Sequence, residues 1–141
     1  MKKLLRWSAA ALVLLFVLIQ FMPVERTNPP VEMEVFAPDE VKQVLRKACF
    51  DCHSHETEWP WYSRVAPISW WMVDHVEHGR ADLNFSRWPL LDFEAQQHLL
   101  GDIEEEISQD EMPLKSYRLG HPEARLTGEE KELLLNWARA R

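Results

Sequence analysis

One pentapeptide constrains this chain more than any other feature: Cys49-Phe50-Asp51-Cys52-His53, which holds both cysteines of a 141-residue sequence. Two thiols three positions apart, followed directly by an imidazole, suit covalent haem attachment with the histidine on the iron, a zinc site, or a redox dithiol. Structural zinc needs a closed set of four Cys and His ligands. There is no second cysteine pair, His55 stands close to His53, and of His75, His78, His98 and His121 only His75-x-x-His78 has a familiar spacing. A thioredoxin-like dithiol belongs at a strand end in a βαβ pattern, and strand patterns are scarce downstream. A disulfide from Cys49 to Cys52 would close a loop too short to add much stability. The pattern therefore points to one covalently attached haem c, with Cys49 and Cys52 as thioether sites and His53 as proximal iron ligand.

The N-terminal segment bears on where such a group is attached. Lys2, Lys3 and Arg6 precede Trp7 to Met22, a run whose only polar members are Ser8 and Gln20. Basic residues before an apolar core are the pattern of an export signal or signal anchor. No small-x-small cleavage site follows at Gln20-Phe21-Met22-Pro23. The expectation is a retained single-pass transmembrane helix over residues 1–22 in a bacterial inner membrane, with the remainder in the periplasm; the alternative is a soluble exported domain after cleavage. An oxidising compartment agrees with thiols destined for coupling.

Charge narrows the partners. The chain has 16 Lys and Arg against 23 Asp and Glu, a formal net charge of −7, and three of those cations lie in the N-terminal segment. That balance excludes nucleic acid as a natural partner and favours basic redox proteins.

Residues 23–37, with Pro23, Pro29 and Pro30, read as an extended linker. The domain proper, residues 38–141, reads as small and all-α. Pro38 opens a helix with Asp39 and Glu40 in its first turn and Val41, Val44, Leu45 and Ala48 on one stripe, running straight into Cys49. Trp59 to Pro67 is too interrupted by proline to be regular; its Trp N–H and Tyr O–H groups and the Arg64 guanidinium are candidates to meet haem propionates, Arg64 above all. Ile68 to Gly79 is helix-compatible, with Gly79 as its stop. Leu83 to Pro89 reads as a loop, and Asp92 or Phe93 to Ser108 as a longer helix. A last helix follows Thr127, capped by Thr127 and Glu130, with Leu133, Leu134, Trp137 and Ala138 as its buried stripe.

A haem iron held by His53 has a sixth position, and what fills it separates electron transfer from ligand chemistry. Met112, in the loop Glu111-Met112-Pro113-Leu114, is the leading candidate for the second metal ligand; His121, His78 and His75 are its alternatives.

With Cys49-x-x-Cys52-His53 ending a first helix, Met112-Pro113, and a C-terminal helix holding Trp137, the chain resembles class I monohaem c-type cytochromes. More closely it resembles a bacterial haem-binding domain family through Cys49 to Ser54, Trp59-Pro60-Trp61-Tyr62, Arg64 to Pro67, Leu83 to Ser86, Glu111 to Pro113 and Tyr117 to Leu126. The resemblance spans about residues 38 to 140. It implies a cytochrome c-like helical domain around covalent haem c, with Met112 as distal ligand. The expected function is single-electron transfer by a membrane-tethered periplasmic monohaem cytochrome, without enzymatic turnover of a substrate; the alternative is a haem peroxidase or gas sensor with a displaceable sixth ligand.

Overall fold

The computed structural model describes residues 1–140, and every regular element among them is helical. The chain begins with α1 (Lys2–Ile19). Among the described residues no helix is long and apolar enough to cross a membrane, so the expected transmembrane helix has no support from α1. The 18 residues of α1 rise about 27 Å at ~1.5 Å per residue, and Lys2, Lys3 and Arg6 occupy its first turns. The apolar remainder covers roughly 20 Å of a hydrocarbon core of about 30 Å.

Residues 23–37 have no regular structure, yet they do not hang free as a linker. Gln20 grips the backbone of Ala66 with both ends of its side-chain amide, donating to the carbonyl at 3.1 Å and accepting the N–H at 2.9 Å. Arg26 donates to Ser63 O, Asn28 to Thr57 O, and the Pro30 carbonyl accepts from His55 Nδ1. Val35 is buried in the core, and Glu34 pairs with Lys42 and Arg46 of the following helix. The segment is a strap.

The domain is built on α2 (Asp39–Ala48), α3 (Phe50–His53), α4 (Ile68–Asp82), α5 (Phe93–Ser108), α6 (Lys115–Gly120) and α7 (Gly128–Arg139), with 3-10 turns at Trp61–Arg64, Phe85–Leu90 and Pro122–Ala124. The α2 stripe is as its spacing predicts: Val41, Val44, Leu45 and Ala48 are buried. It packs on α7, and α7 on α5. Thr127 and Glu130 complete the capping box at the start of α7. The buried stripe of that helix is shifted, with Leu134, Leu135 and Ala138 inward and Leu133 and Trp137 at its margin.

Two further departures matter for the site. Gly79 does not stop α4, which continues to Asp82. And α6, a six-residue helix just after Met112-Pro113, was not marked by any apolar period.

Candidate functional site

The site is set by how α2 gives way to α3. Cys49 closes α2, its N–H reaching Leu45 O at 2.8 Å, and its own carbonyl then accepts the N–H groups of Cys52 and His53 at 3.2 and 2.9 Å. That tight turn puts both thiols along one side. Phe50 points the other way into the core, stacked on Phe85 with ring centroids 5.4 Å apart, and Phe85 continues the stack to Trp88. The Cys49–His53 segment is thus anchored by the residue between its first cysteine and Asp51.

Helix α4 lies against this turn at Gly79. A Cβ there would sit 2.8 Å from the Cys52 carbonyl oxygen and 3.2 Å from Cys52 Cβ, a distance no larger residue accepts without moving backbone. The absence of a side chain, rather than a helix stop, is what this position contributes. The close approach brings the end of α4 to His53, whose Nδ1–H donates to Gly79 O at 2.8 Å and Leu83 O at 3.1 Å. Both partners are carbonyls, so the proton is on Nδ1 and Nε2 keeps its lone pair. Burial holds the His53 pKa below the usual imidazole value, although the same two carbonyls act against it. A neutral imidazole oriented by backbone acceptors is the arrangement metal-ligating histidines use.

Arg80 fastens the segment after His53. Its guanidinium donates to Ser54 O (2.7 Å), Thr57 Oγ1 (2.9 Å), Thr27 O (2.9 Å) and Asn28 Oδ1 (3.0 Å). One half-buried side chain therefore ties α4, the residues after His53 and the strap together.

Two clefts open beside the turn, of ≈ 300 and ≈ 470 Å³, and both are lined by Ala48, Cys49, His53, Asp82, Met112 and Pro113. Cys52, His75, His78, Leu114 and Tyr117 extend the first; Leu45, Phe85, Leu99, Ile103 and Ile107 are among the apolar walls of the second. Together they form one groove with His53 on one side and Met112 shared by both halves. The Met112 loop is held from within. The N–H groups of Glu111 and Met112 both reach Glu106 O, at 3.0 and 3.3 Å, Asp110 has a left-handed backbone at φ 60°, and Arg118 pairs with Asp110 at 3.3 Å. The Met112-Pro113 peptide is cis.

The cysteines are free, and their environment favours the protonated thiol. Burial and the neighbouring thiol push Cys49 up to about 12, while burial followed by the adjacent Asp51 charge pushes Cys52 up to about 11. Thiol-disulfide catalysts require the opposite shift. Among the described residues no group of three or more His, Cys, Asp or Glu is placed to hold a metal ion, so a zinc cluster has no support.

The groove fits a flat, largely apolar group bearing one metal: paired thiols on one edge, a lone-pair nitrogen facing in, a thioether nearby and aliphatic walls. The other expected residues are distributed unevenly. His75 and His78 line the smaller cleft, but their Nδ1 groups donate to Trp71 O and Asp74 O on their own helix. His121 lies outside the groove, stacked on Tyr117. Arg64 is exposed at the end of its 3-10 turn and lines neither cleft. The structure does not bring it to the site expected from its charge. The carboxylates on the groove walls are Asp74, Asp82, Asp102 and Glu106, with no lysine or arginine among the lining residues. Trp59 Nε1 is a buried N–H without an acceptor. It lines a different pocket, with Arg46, Asp51 and Tyr117.

Gly79, Arg80, Asp51 and Tyr117 were not singled out from the sequence for the parts they play here. Asp51 carried one signal, a carboxylate between the two cysteines; the others depend on packing that no local pattern reports.

The family model of the haem-binding domain matches residues 14–140. No curated protein and no solved structure matches this chain.

Proposed function

The chain belongs to the haem-binding domain family and binds haem, and from that premise we propose that it is a monohaem, class I-like cytochrome c that passes single electrons between partner proteins. Bound haem supplies an iron that cycles between ferrous and ferric states. The observation that carries the proposal is the groove in which Cys49, His53 and Met112 meet.

Each residue then has a definite task. Cys49 and Cys52 retain the group through thioether bonds, for which protonated, sheltered thiols beside the groove are suitably placed. His53 presents Nε2 while Gly79 O and Leu83 O hold its ring against rotation. Met112 supplies the second ligand, and its loop limits movement on that side. Two strong ligands on a rigid frame favour electron transfer over binding of a substrate to iron. The basic-then-apolar N-terminus supports export, with the domain working in the periplasm. The acidic groove rim and overall charge favour basic redox partners.

Spectra of the purified holoprotein in both redox states, with and without carbon monoxide, test this on the wild type and Met112→Ala. The wild type should show a weak near-infrared sulfur-to-iron band and resist carbon monoxide; Met112→Ala should lose the band and bind the gas. A wild type that binds carbon monoxide readily would favour the peroxidase or gas-sensor alternative and overturn the electron-carrier reading.

A further inference from the structure

The attachment turn and the Met112 loop come from distant parts of the chain, and a direct hydrogen bond joins them. Tyr117 Oη donates to Asp51 Oδ2 at 2.6 Å. Asp51 stands between the two cysteines, so the phenol is fastened to the attachment turn itself.

The carboxylate cannot swing away easily. Its other oxygen accepts the Glu58 N–H at 2.9 Å, and the Asp51 carbonyl accepts Thr57 Oγ1 at 2.7 Å. Tyr117 is equally constrained on the far side, where its ring stacks on His121 with centroids 4.3 Å apart and planes 14° from parallel. The ring lines the smaller cleft with Cys52, His53 and Met112.

Tyr117 also moves with the loop that holds Met112. It lies in α6, five residues on, and the next residue, Arg118, closes that loop by pairing with Asp110. At 2.6 Å this phenol–carboxylate contact is a short hydrogen bond. Here it spans from the thiol side of the groove to the thioether side.

We propose that Asp51 is a positioning residue: by holding Tyr117 it keeps Met112 in place over the groove and shuts external ligands out of the distal side. This rests on Met112 being the distal ligand, as proposed above.

The test uses the holoprotein as wild type, Tyr117→Phe, Asp51→Ala, Asp51→Asn and the double variant Asp51→Ala/Tyr117→Phe. Imidazole is titrated while the near-infrared sulfur-to-iron band is followed. Tyr117→Phe keeps the ring and removes only the hydroxyl. It should bind imidazole about tenfold more tightly, a factor equivalent to ~1.4 kcal/mol. Asp51→Ala should do the same, and the double variant should be no worse than either single one. Asp51→Asn, which retains an acceptor oxygen, should stay near wild type.

Two further measurements separate positioning from general loss of stability. Amide exchange at Glu111 and Met112, both bonded to Glu106 O, should speed up in Tyr117→Phe. Thr127→Ala, which removes the α7 cap, should lower Tm yet leave imidazole affinity unchanged. Wild-type imidazole affinity and exchange in Tyr117→Phe, or additive effects in the double variant, would overturn the role of Asp51. Absence of the band from the wild type would instead overturn the Met112 assignment, and this role with it.

Discussion

The two sides of the groove are built differently. On the His53 side, three separate parts of the chain converge on a four-residue helix. Phe50 stacks in the core, Gly79 brings α4 against the Cys52 backbone, and Arg80 binds the strap and the residues after the motif. On the Met112 side one loop is fixed largely by its own neighbours: the Glu106 carbonyl, an Asp110–Arg118 pair, and Tyr117 reaching across. Asp110 and Glu111 are exposed there. The first side is fixed from several parts of the chain and the second mainly by its own loop, so disturbance of the two should produce different symptoms: loss of stability on one, and altered ligand access on the other.

The largest effect should come from Arg80→Ala. Its removal leaves four acceptors from two segments, the strap and the residues after His53, without their donor, and it should cost about 3 kcal/mol of unfolding free energy, since bonds to a charged group carry roughly 1.5–3 kcal/mol. Denaturant unfolding of the holoprotein would measure it. A loss below ~1 kcal/mol would mean that the strap is not part of the folded unit.

Gly79→Ala sets two effects against each other. Alanine gains up to about 1 kcal/mol in helix propensity, but its Cβ meets the Cys52 carbonyl at 2.8 Å, and overpacking against unyielding atoms costs about 1–3 kcal/mol. We expect net destabilisation of ~1–2 kcal/mol, with a change in the His53 environment visible by NMR because the Gly79 carbonyl moves. A more stable variant would show that α4 and the attachment turn pack less closely than described.

Arg118→Ala should invert that pattern. An ion pair to a solvent-exposed carboxylate such as Asp110 contributes little to folding, so Tm should hardly move, yet the loosened loop should admit imidazole more readily. Equal loss of stability for Arg118→Ala and Gly79→Ala would erase the contrast between the two sides.

The smallest effect is acid dependence away from both. Glu130 pairs with Lys47 and completes the α7 capping box, and Lys47 foremost, then the Thr127 N–H, lowers its pKa from 4.5. A depressed carboxyl contributes stability that is full above its unfolded value and is lost as pH falls through its folded value. The contribution of Glu130 should therefore be full from neutrality to about pH 5 and decline below ~4.5, and the difference in stability between wild type and Glu130→Gln should shrink over that range. A difference that does not shrink would show that the pair contributes nothing.

The helices carrying long apolar stripes were readable in the sequence, because α2, α5 and α7 announce themselves by period and by caps such as Thr127. That Cys49, Cys52 and His53 share one side of the groove was equally readable, since they lie within five positions of the chain. Gly79 was misread because a glycine near a helix end is ambiguous: the same residue serves a C-cap or a close approach, and only the position of Cys52 distinguishes them. Helix α6 is too short to show a period, and Tyr117 gains its meaning from Asp51, 66 residues away. Arg64 was drawn toward the site by charge alone, whereas it is exposed at the end of its turn and lines neither cleft. The N-terminal run had the composition of a membrane span without the apolar length of one.

The central claim, that haem is bound covalently through Cys49 and Cys52, is tested most directly by acid-acetone extraction of the holoprotein followed by intact-mass measurement. The account predicts that the haem stays with the polypeptide, whose mass rises by one haem, and that Cys49→Ala/Cys52→Ala releases it to the organic phase. Haem that leaves the wild-type protein on extraction would contradict it.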